Sequence, residues 1–427
     1  MGIHTICVVG LGYIGLPTAT IFANAGKIVR GVDVNFTTVK MINAGQAHIE
    51  ERGLEELLQK VVVEGRLTAD TTPTYADVFI IAVPTPHNED YTANLEAVIA
   101  ASKDILPYLK KGNIVIVEST IPPRTINDIV APIIENEGWR VGEDIYVAHC
   151  PERVLPGKIL DELVNNTRIV GGINKVSAKK AAEVYQCFVK APILETTALI
   201  AEMSKLMENT YRDVNIALAN ELVKISTDLE INALEVIKMA NYHPRVNIHS
   251  PGPGVGGHCL AIDPYFIIEK SPQNAVLISN ARHINNSMPR FVVESVEKLV
   301  RGKEGKIGVL GLTYKGDIDD IRESPSFEII HSLIEKKYDV KVHDPYAKQS
   351  QVPFKLLSLE KTIEGVDCIL ILTDHSDFQN LDQEMILSKC KSPMILDTKN
   401  CVNMKSSEIK YYNFGSLYQL EMQLALV

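Results

Sequence analysis

Two doubly wound parallel-sheet domains joined by a central helical domain, an α/β architecture, are what three features of this sequence predict. TICVVG (5–10) runs through Gly10-Leu-Gly12-Tyr-Ile-Gly15 into LPTATIFANAG, the order strand, glycine turn, helix. The same order begins again at KIGVLG (306–311), with further apolar strands behind it. Between the two, residues 196–230 contain neither proline nor glycine and repeat apolar residues at helical spacing, as one long helix would. The expected domains are therefore 1–195, 196–301 and 302–427.

In the first domain the glycines at 10, 12 and 15 permit a tight turn, close approach of a ligand and close packing of helix on strand. The next strand, IVRGVD, ends in Asp33, 18 residues beyond Gly15, where an acid accepts the hydroxyls of an adenine ribose and repels a 2′-phosphate. The turn is thus expected to seat the pyrophosphate of NAD rather than NADP. The strands in DVFIIAVPTP (77–86) and NIVIVESTIPP (113–123) end in turns rich in Ser, Thr and Pro. There Thr85 and Thr120 either face the nicotinamide side of the cofactor or cap the following helices. IYVAHC (145–150) supplies one more strand, and Glu152 stands in the loop behind it, placed to act as acid, base or substrate contact.

On the long helix Lys205 and Asn209 are four residues apart and share a face, with Arg212 and Asp213 one turn later. Such a stripe is either a solvated face or a charge that stabilises an oxyanion. A second helix leads to HPRVN and then to PGPGVGGHCLAIDP (251–264), where four glycines and three prolines frame His258, Cys259 and Asp263. Glycines strip side chains away so that backbone can approach a ligand, and a thiol ends the bare segment. In the third domain DVKVHDP ends in Asp344 as the earlier strand ended in Asp33, but the full GxGxxG is missing after Gly308 and Gly311. That domain is expected to bind a mononucleotide or nucleotide sugar, with Lys315 and Arg322 at its turn.

The chain of 427 residues is too long for a single core. A net charge of −10 with no Lys/Arg cluster disfavours nucleic acid, and no apolar run reaches membrane-spanning length. Seven cysteines (7, 150, 187, 259, 368, 390, 401) form no CxxC pair, which together with an N-terminus unlike a leader peptide suggests a reducing cytoplasm. A metal site drawn from His243, His249, His258 and Cys259 lacks paired ligand spacing, so no metal is expected.

A nicotinamide site, a glycine-loop thiol, a helix lysine and a second nucleotide domain suit oxidation of an alcohol beyond the aldehyde. An aldehyde must first add a nucleophile before it can give up a second hydride, and a thiolate does this by forming a thiohemiacetal that is oxidised to a thioester and hydrolysed. Cys259 would be that nucleophile, Lys205 and Asn209 would stabilise developing oxyanions, Asp263 would handle protons, and Glu152 would activate water. His258 either lowers the thiol pKa or contacts substrate. A two-electron hydroxy-acid dehydrogenase and a non-catalytic nucleotide-sugar binding protein are the other readings of the same residues.

From GLGYIGLP through STIPP, the Lys205 helix and GGHC to RESPS the chain resembles the UDP-glucose/GDP-mannose dehydrogenase family. The resemblance implies an N-terminal NAD domain, a central helical domain and a C-terminal UDP-sugar domain. It places the catalytic groups on Cys259, Lys205, Asn209, Asp263 and Glu152, and cofactor contacts on Gly10, Gly12, Tyr13, Ile14, Gly15, Asp33, Thr85, Thr120 and Arg322. Substrate contacts fall on Glu152, Arg153, Val154, Lys205, Asn209, Arg212, His243, Arg245, Gly254, Gly256, Gly257, His258, Tyr314 and Lys315, with Arg245 reaching across a homodimer. Pro156 and Ile262 stand where the UDP-glucose enzymes carry an acid and a lysine. CPERVLPG, NYHPRVNI and PGPGVGGHCLAIDP look instead like the branch that oxidises UDP-N-acetyl-D-mannosamine for surface polysaccharides, with the UDP-N-acetylglucosamine 6-dehydrogenases as the alternative.

Overall fold

The computed structural model describes residues 3–155, 157–301 and 305–420, so Pro156 lies outside the described residues. The chain forms two compact units, one running from the N-terminus to Glu208 with Tyr265–Ser271, the other Asn209–Pro264 with the residues from Pro272 onward.

The first unit holds β1 (Thr5–Val9), β2 (Ile28–Val32), β3 (Leu67–Asp70), β4 (Val78–Ile81), β5 (Ile114–Val117), β6 (Tyr146–His149), β7 (Arg168–Gly172) and β8 (Ile193–Thr197). They form one sheet in the order β3-β2-β1-β4-β5-β6-β7-β8. Strand order reverses between β1 and β4, which is where a doubly wound sheet opens a ligand crevice beyond its strand ends. The helices of this unit are α1 (Gly15–Asn24), α2 (Phe36–Asn43), α3 (Leu54–Val63), α4 (Glu96–Asp104), α5 (Ala131–Glu135), α6 (Ile159–Asn165) and α7 (Lys175–Tyr185). Because both faces are covered, the strands read as unbroken apolar runs such as VFII in β4 and IVIV in β5. Ile6, Val8, Ile80 and Ile116 pack on one face with Leu16 and Phe22, while Cys7, Val9, Phe79, Ile81, Val115 and Val117 pack on the other.

The last two strands, β7 and β8, were not expected from the sequence. β7 pairs antiparallel with β6, and β8 is parallel to β7. The long helix predicted at 196–230 is α8 (Ala198–Asp228), whose residues from Asn209 onward belong to the second unit. Then come α9 (Ala233–Ala240), α10 (Asp263–Lys270), α11 (Val276–Asn286) and α12 (Met288–Val300).

The second unit carries β9 (Lys306–Leu310), α13 (Pro325–Glu335), β10 (Asp339–His343), α14 (Leu359–Ile363), β11 (Cys368–Ile371), α15 (Gln383–Lys389), β12 (Met394–Asp397) and β13 (Lys410–Asn413). Its sheet is parallel throughout in the order β10-β9-β11-β12-β13, the second doubly wound sheet expected. Ile307, Val309 and Leu370 pack on one face against α12 and α13, and Leu310, Ile369 and Ile371 pack on the other.

Candidate active site

Beyond β1 the chain turns at Gly10, whose φ of +91° favours glycine and whose N–H donates to the Val32 carbonyl at 2.8 Å. A Cβ on Gly15 would stand 1.8 Å from the Gly10 carbonyl oxygen, so α1 can pack this closely only with glycine at its start. At Gly12 a Cβ would meet no atom within 4 Å, so the side of the turn without a side chain is open. No side chain caps α1; the Leu16 N–H donates to the Gly12 carbonyl at 3.1 Å and Pro17 has none, which leaves the Gly15 amide, behind Tyr13 and Ile14, as a donor for an anion. At the end of β2 Asp33 accepts the N–H of Leu11 at 3.0 Å and of Asn35 at 2.9 Å, which aims its carboxylate while leaving lone pairs for ribose hydroxyls. The Thr85 hydroxyl is buried and makes no hydrogen bond among the described residues. It therefore does not cap a helix, and a cofactor amide would satisfy it. Thr120 is half-buried beyond β5, and its neighbour Ser119 donates to the Val83 carbonyl at 2.7 Å, linking the ends of β4 and β5. Open backbone, an uncapped helix start and an orphaned hydroxyl fit a dinucleotide at this edge.

At the end of β6, Glu152 is almost buried. One of its oxygens accepts from Arg168 Nη2 at 2.9 Å and the other from the Arg153 N–H at 2.8 Å. The Arg153 side chain pairs with Glu208 at 2.5 Å and donates to the Thr167 carbonyl, while Val154 is half-buried beside it. Lys205 on α8 is 7% exposed. One turn before it, Glu202 accepts the N–H groups of Arg124 at 2.7 Å and Ile126 at 2.9 Å, and burial pushes its carboxyl up to about 7. His149 is buried too, and burial first, with Lys205 adding to it, lowers its pKa to about 3, so it is neutral at pH 7. Arg168, Glu118 and Glu202 were missed in the sequence. The signal available for Glu118 was its place at the end of β5, in VEST.

In the second unit the glycine loop is pinned at its base. Gly252 donates to Asn220 at 2.9 Å, Asn220 to Asn285 at 2.9 Å, and Asn285 to Asp213 at 2.8 Å, with Arg282 paired to Asp213 at 2.7 Å. Further along, a Cβ on Gly256 would stand 2.5 Å from the Glu323 carbonyl oxygen, and one on Gly254 would stand 2.9 Å from Pro325. Gly257, at φ +84°, lies against the Tyr314 ring and donates to the Arg322 carbonyl at 3.0 Å. Cys259 emerges from this support exposed, and its carbonyl accepts the N–H groups of Ile262 and Asp263 at 3.1 and 2.9 Å, starting α10. Asp263 is buried, and the Asn209 amide donates to its Oδ2 at 2.6 Å. An amide nitrogen carries two hydrogens, so this bond orients Asn209 and leaves the other hydrogen for a ligand oxygen.

His258 sits between burial and Arg322, which lower its pKa, and Asp263, Asp320 and Glu323, which raise it; the net direction is down. A neutral imidazole at pH 7 exerts no coulombic pull on the neighbouring thiol, which favours contact with substrate over activation. Arg322 is held by both oxygens of Asp320, at 2.9 and 2.7 Å. Burial, then Asp320 and Cys259, raise the pKa of Tyr314, placing its phenol within the field of the thiol. Lys315 and Arg212 are exposed, and in the exposed stretch before the loop Arg245 donates its N–H to His243 Nδ1 at 3.3 Å. The structure thus gathers Asn209, Gly257, His258, Cys259, Asp263, Tyr314 and Arg322 in one unit, while Glu152 and Lys205 belong to the other. Among the described residues no three His, Cys, Asp or Glu side chains are grouped to hold a metal, and no helix is long and apolar enough to cross a membrane.

Comparison with known proteins matches residues 4–189 to the NAD binding domain, 200–287 to the central domain and 308–404 to the UDP binding domain of the UDP-glucose/GDP-mannose dehydrogenase family. The UDP-N-acetyl-D-mannosamine dehydrogenase of Methanocaldococcus jannaschii is 50% identical over 419 residues, 96% of either chain. A solved UDP-N-acetyl-mannosamine dehydrogenase of Staphylococcus aureus superposes with a TM-score of 0.90 at 53% identity, covering 97% of this chain and 100% of that one. The Pyrococcus horikoshii UDP-D-ManNAc dehydrogenase gives 0.90 at 41% identity over 97% of this chain and 100% of its own. With near-complete coverage at about half identity, the chain belongs to the UDP-glucose/GDP-mannose dehydrogenase family and is an NAD-dependent UDP-sugar dehydrogenase.

Proposed function

We propose that the chain oxidises carbon 6 of UDP-N-acetyl-D-mannosamine to the carboxylate, giving UDP-N-acetyl-D-mannosaminuronate through covalent intermediates on Cys259. The observation that carries this reading is the exposed Cys259 thiol at the end of a braced, side-chain-free loop, with Asn209 oriented by Asp263 beside it. The named activity of the relatives supplies the sugar. Two NAD, bound one after the other, would each accept one hydride, the first from the alcohol and the second from the thiohemiacetal.

Cys259 Sγ, as thiolate, adds to the aldehyde carbon, and Lys205 and Asn209 stabilise the oxyanion that forms. Loss of the second hydride leaves a thioester. Water activated by Glu152 adds to the thioester carbon, the C–S bond breaks, and carboxylate and thiolate separate. Asp263 orients Asn209 and exchanges protons near the thiol. Gly254, Gly256, Gly257, His258, Tyr314, Lys315 and Arg212 are assigned to the nucleotide sugar, and Arg322 to the cofactor. The three-part division at 195/196 and 301/302 is retained as the functional one, with binding sites in the outer parts. A homodimer is supported by Tyr211, Leu218 and Ile225, apolar residues left exposed along α8 at spacings of 7 and 7. In that dimer Arg245, on its exposed loop, would serve the partner's site.

The test is NADH formed per mole of sugar with UDP-N-acetylmannosamine, UDP-N-acetylglucosamine and UDP-glucose offered separately. Two NADH with the first sugar only is the expected result. Two with another sugar would keep the chemistry and replace the substrate, and a Cys259→Ala protein that still made uronate at the normal rate would remove the covalent route.

A further inference from the structure

At the strand-end edge of the first unit, Glu152 shares its arginine with a second carboxylate that the reaction above does not use. β7 runs against β6 with Ala148 opposite Gly172 and His149 opposite Gly171, and the same count carried outward brings Arg168 opposite Glu152. Arg168 is 5% exposed, and its guanidinium lies over the Tyr185 ring, 4.4 Å from the centroid, with Phe188 at 5.6 Å. One nitrogen donates to Glu152 at 2.9 Å, while the other stands 3.5 Å from Cys150 Sγ and 3.8 Å from Glu118 Oε1. Glu118, buried at the end of β5, accepts the Tyr185 hydroxyl at 2.7 Å and the Thr18 hydroxyl at 3.2 Å.

One positive charge therefore serves two carboxylates away from water. Burial pushes the Glu118 carboxyl up to about 7, Arg168 opposes the rise and Glu152 adds to it. The groups that face Glu118 are Arg168 from β7, Glu152 and Cys150 from the segment after β6, Tyr185 from α7 and Thr18 from α1. When Glu118 carries its proton, Arg168 is balanced by Glu152 alone; when Glu118 is ionised, the two carboxylates divide one cation. The rings over the guanidinium hold its plane, so its fork fixes the direction in which Glu152 points.

We propose that Arg168 is the positioning residue for Glu152 and that the proton on Glu118 sets how strongly Arg168 holds it. This rests on the reading that Glu152 activates the hydrolytic water. Glu118→Gln keeps an acceptor for Tyr185 but cannot ionise, so Arg168 stays with Glu152 alone at every pH. In the full-length protein turning over UDP-N-acetylmannosamine and NAD, the ratio of Glu118→Gln to wild-type kcat should rise about twofold or more as pH passes upward through about 7, with KM unchanged. The 13C resonance of the Glu118 carboxyl in ligand-free wild-type protein should titrate over the same range. Arg168→Lys keeps the charge without the fork and should lower kcat about tenfold while KM holds. In a Glu152→Gln background, Glu118→Gln should add nothing to the pH profile.

A kcat ratio that stays flat across that range in folded Glu118→Gln protein would overturn the proposal. If Glu152→Gln is slow and the ratio still stays flat, only the positioning inference falls. If Glu152→Gln turns over at the normal rate, the role assigned to Glu152 falls and the positioning with it.

Discussion

The two glycine turns of this chain start alike and end differently. Gly10 and Gly311, at φ +91° and +100°, donate their N–H groups to the carbonyls of Val32 and His343 at 2.8 and 2.9 Å. The aspartate after each carbonyl accepts the next N–H, Asp33 from Leu11 at 3.0 Å and Asp344 from Leu312 at 2.6 Å. There the likeness stops. Asp33 stays half-buried, and helix α1 begins at once at Gly15. Asp344 is buried, takes further N–H groups from Thr313, Tyr346 and Ala347, and receives His375 Nε2 at 3.1 Å; helix α13 waits until Pro325. The first turn keeps its donors for a ligand. The second has turned them inward, and the longer segment that follows is released to brace the glycine loop through Tyr314 and Arg322.

The strongest way to break this comparison is to remove one charge from each aspartate. Asp344→Asn should cost about 3 kcal/mol of stability, because an amide offers hydrogens to donors that need acceptors, whereas Asp33→Asn should cost about 1 kcal/mol. Equal losses in chemical denaturation would show that both turns are structural. Burial alone would raise the Asp344 carboxyl, but His375 and the amides of Leu312, Ala347 and Tyr346 outweigh it and hold its pKa at about 2, below the usual 3.8. A depressed carboxylate stabilises the fold above its ordinary pKa. This contribution, about 2 kcal/mol, should vanish as pH falls from 3.8 toward 2 and be absent in Asp344→Asn.

A smaller effect sharpens the ligand side of the contrast. Gly12→Val fills open space, so the melting temperature should hold while NAD affinity falls about a hundredfold, or ~2.7 kcal/mol. Thr313→Val at the corresponding position of the second turn should leave NAD affinity unchanged in the same calorimetric titration. If Gly12→Val binds NAD normally, the first turn is not the pyrophosphate seat. The smallest effect expected is at Thr85. Thr85→Val removes a buried hydroxyl that has no hydrogen-bond partner among the described residues and should stabilise ligand-free protein by about 0.5–1 kcal/mol while weakening NAD severalfold. A fall in ligand-free stability would mean that the hydroxyl is already satisfied.

Much of the scaffold was legible because its signals are local. Glycine, apolar run and terminal acid lie within one stretch at both turns, and α8 announced itself by the absence of helix breakers. The thiol loop was legible for the same reason, since its glycines, Cys259 and Asp263 are neighbours in sequence. What stayed hidden depends on strand direction. Arg168 in NNTRIVGG reads as a surface charge, and only the reversal of β7 sets it against Glu152, 16 residues earlier. His258 stayed ambiguous because its charge is decided first by burial and then by Arg322, which is distant in sequence.

The reversal of β7 has a further consequence for change over time. Other strands deliver functional groups to this edge from their ends, through loops that also build the cofactor seat. β7 delivers Arg168 from its beginning, fed by the short Asn166–Thr167 connection after α6. That connection can be lengthened, shortened or rewritten without touching Gly10–Gly15 or Asp33. The setting of Glu152 is therefore open to drift or redesign independently of the dinucleotide half.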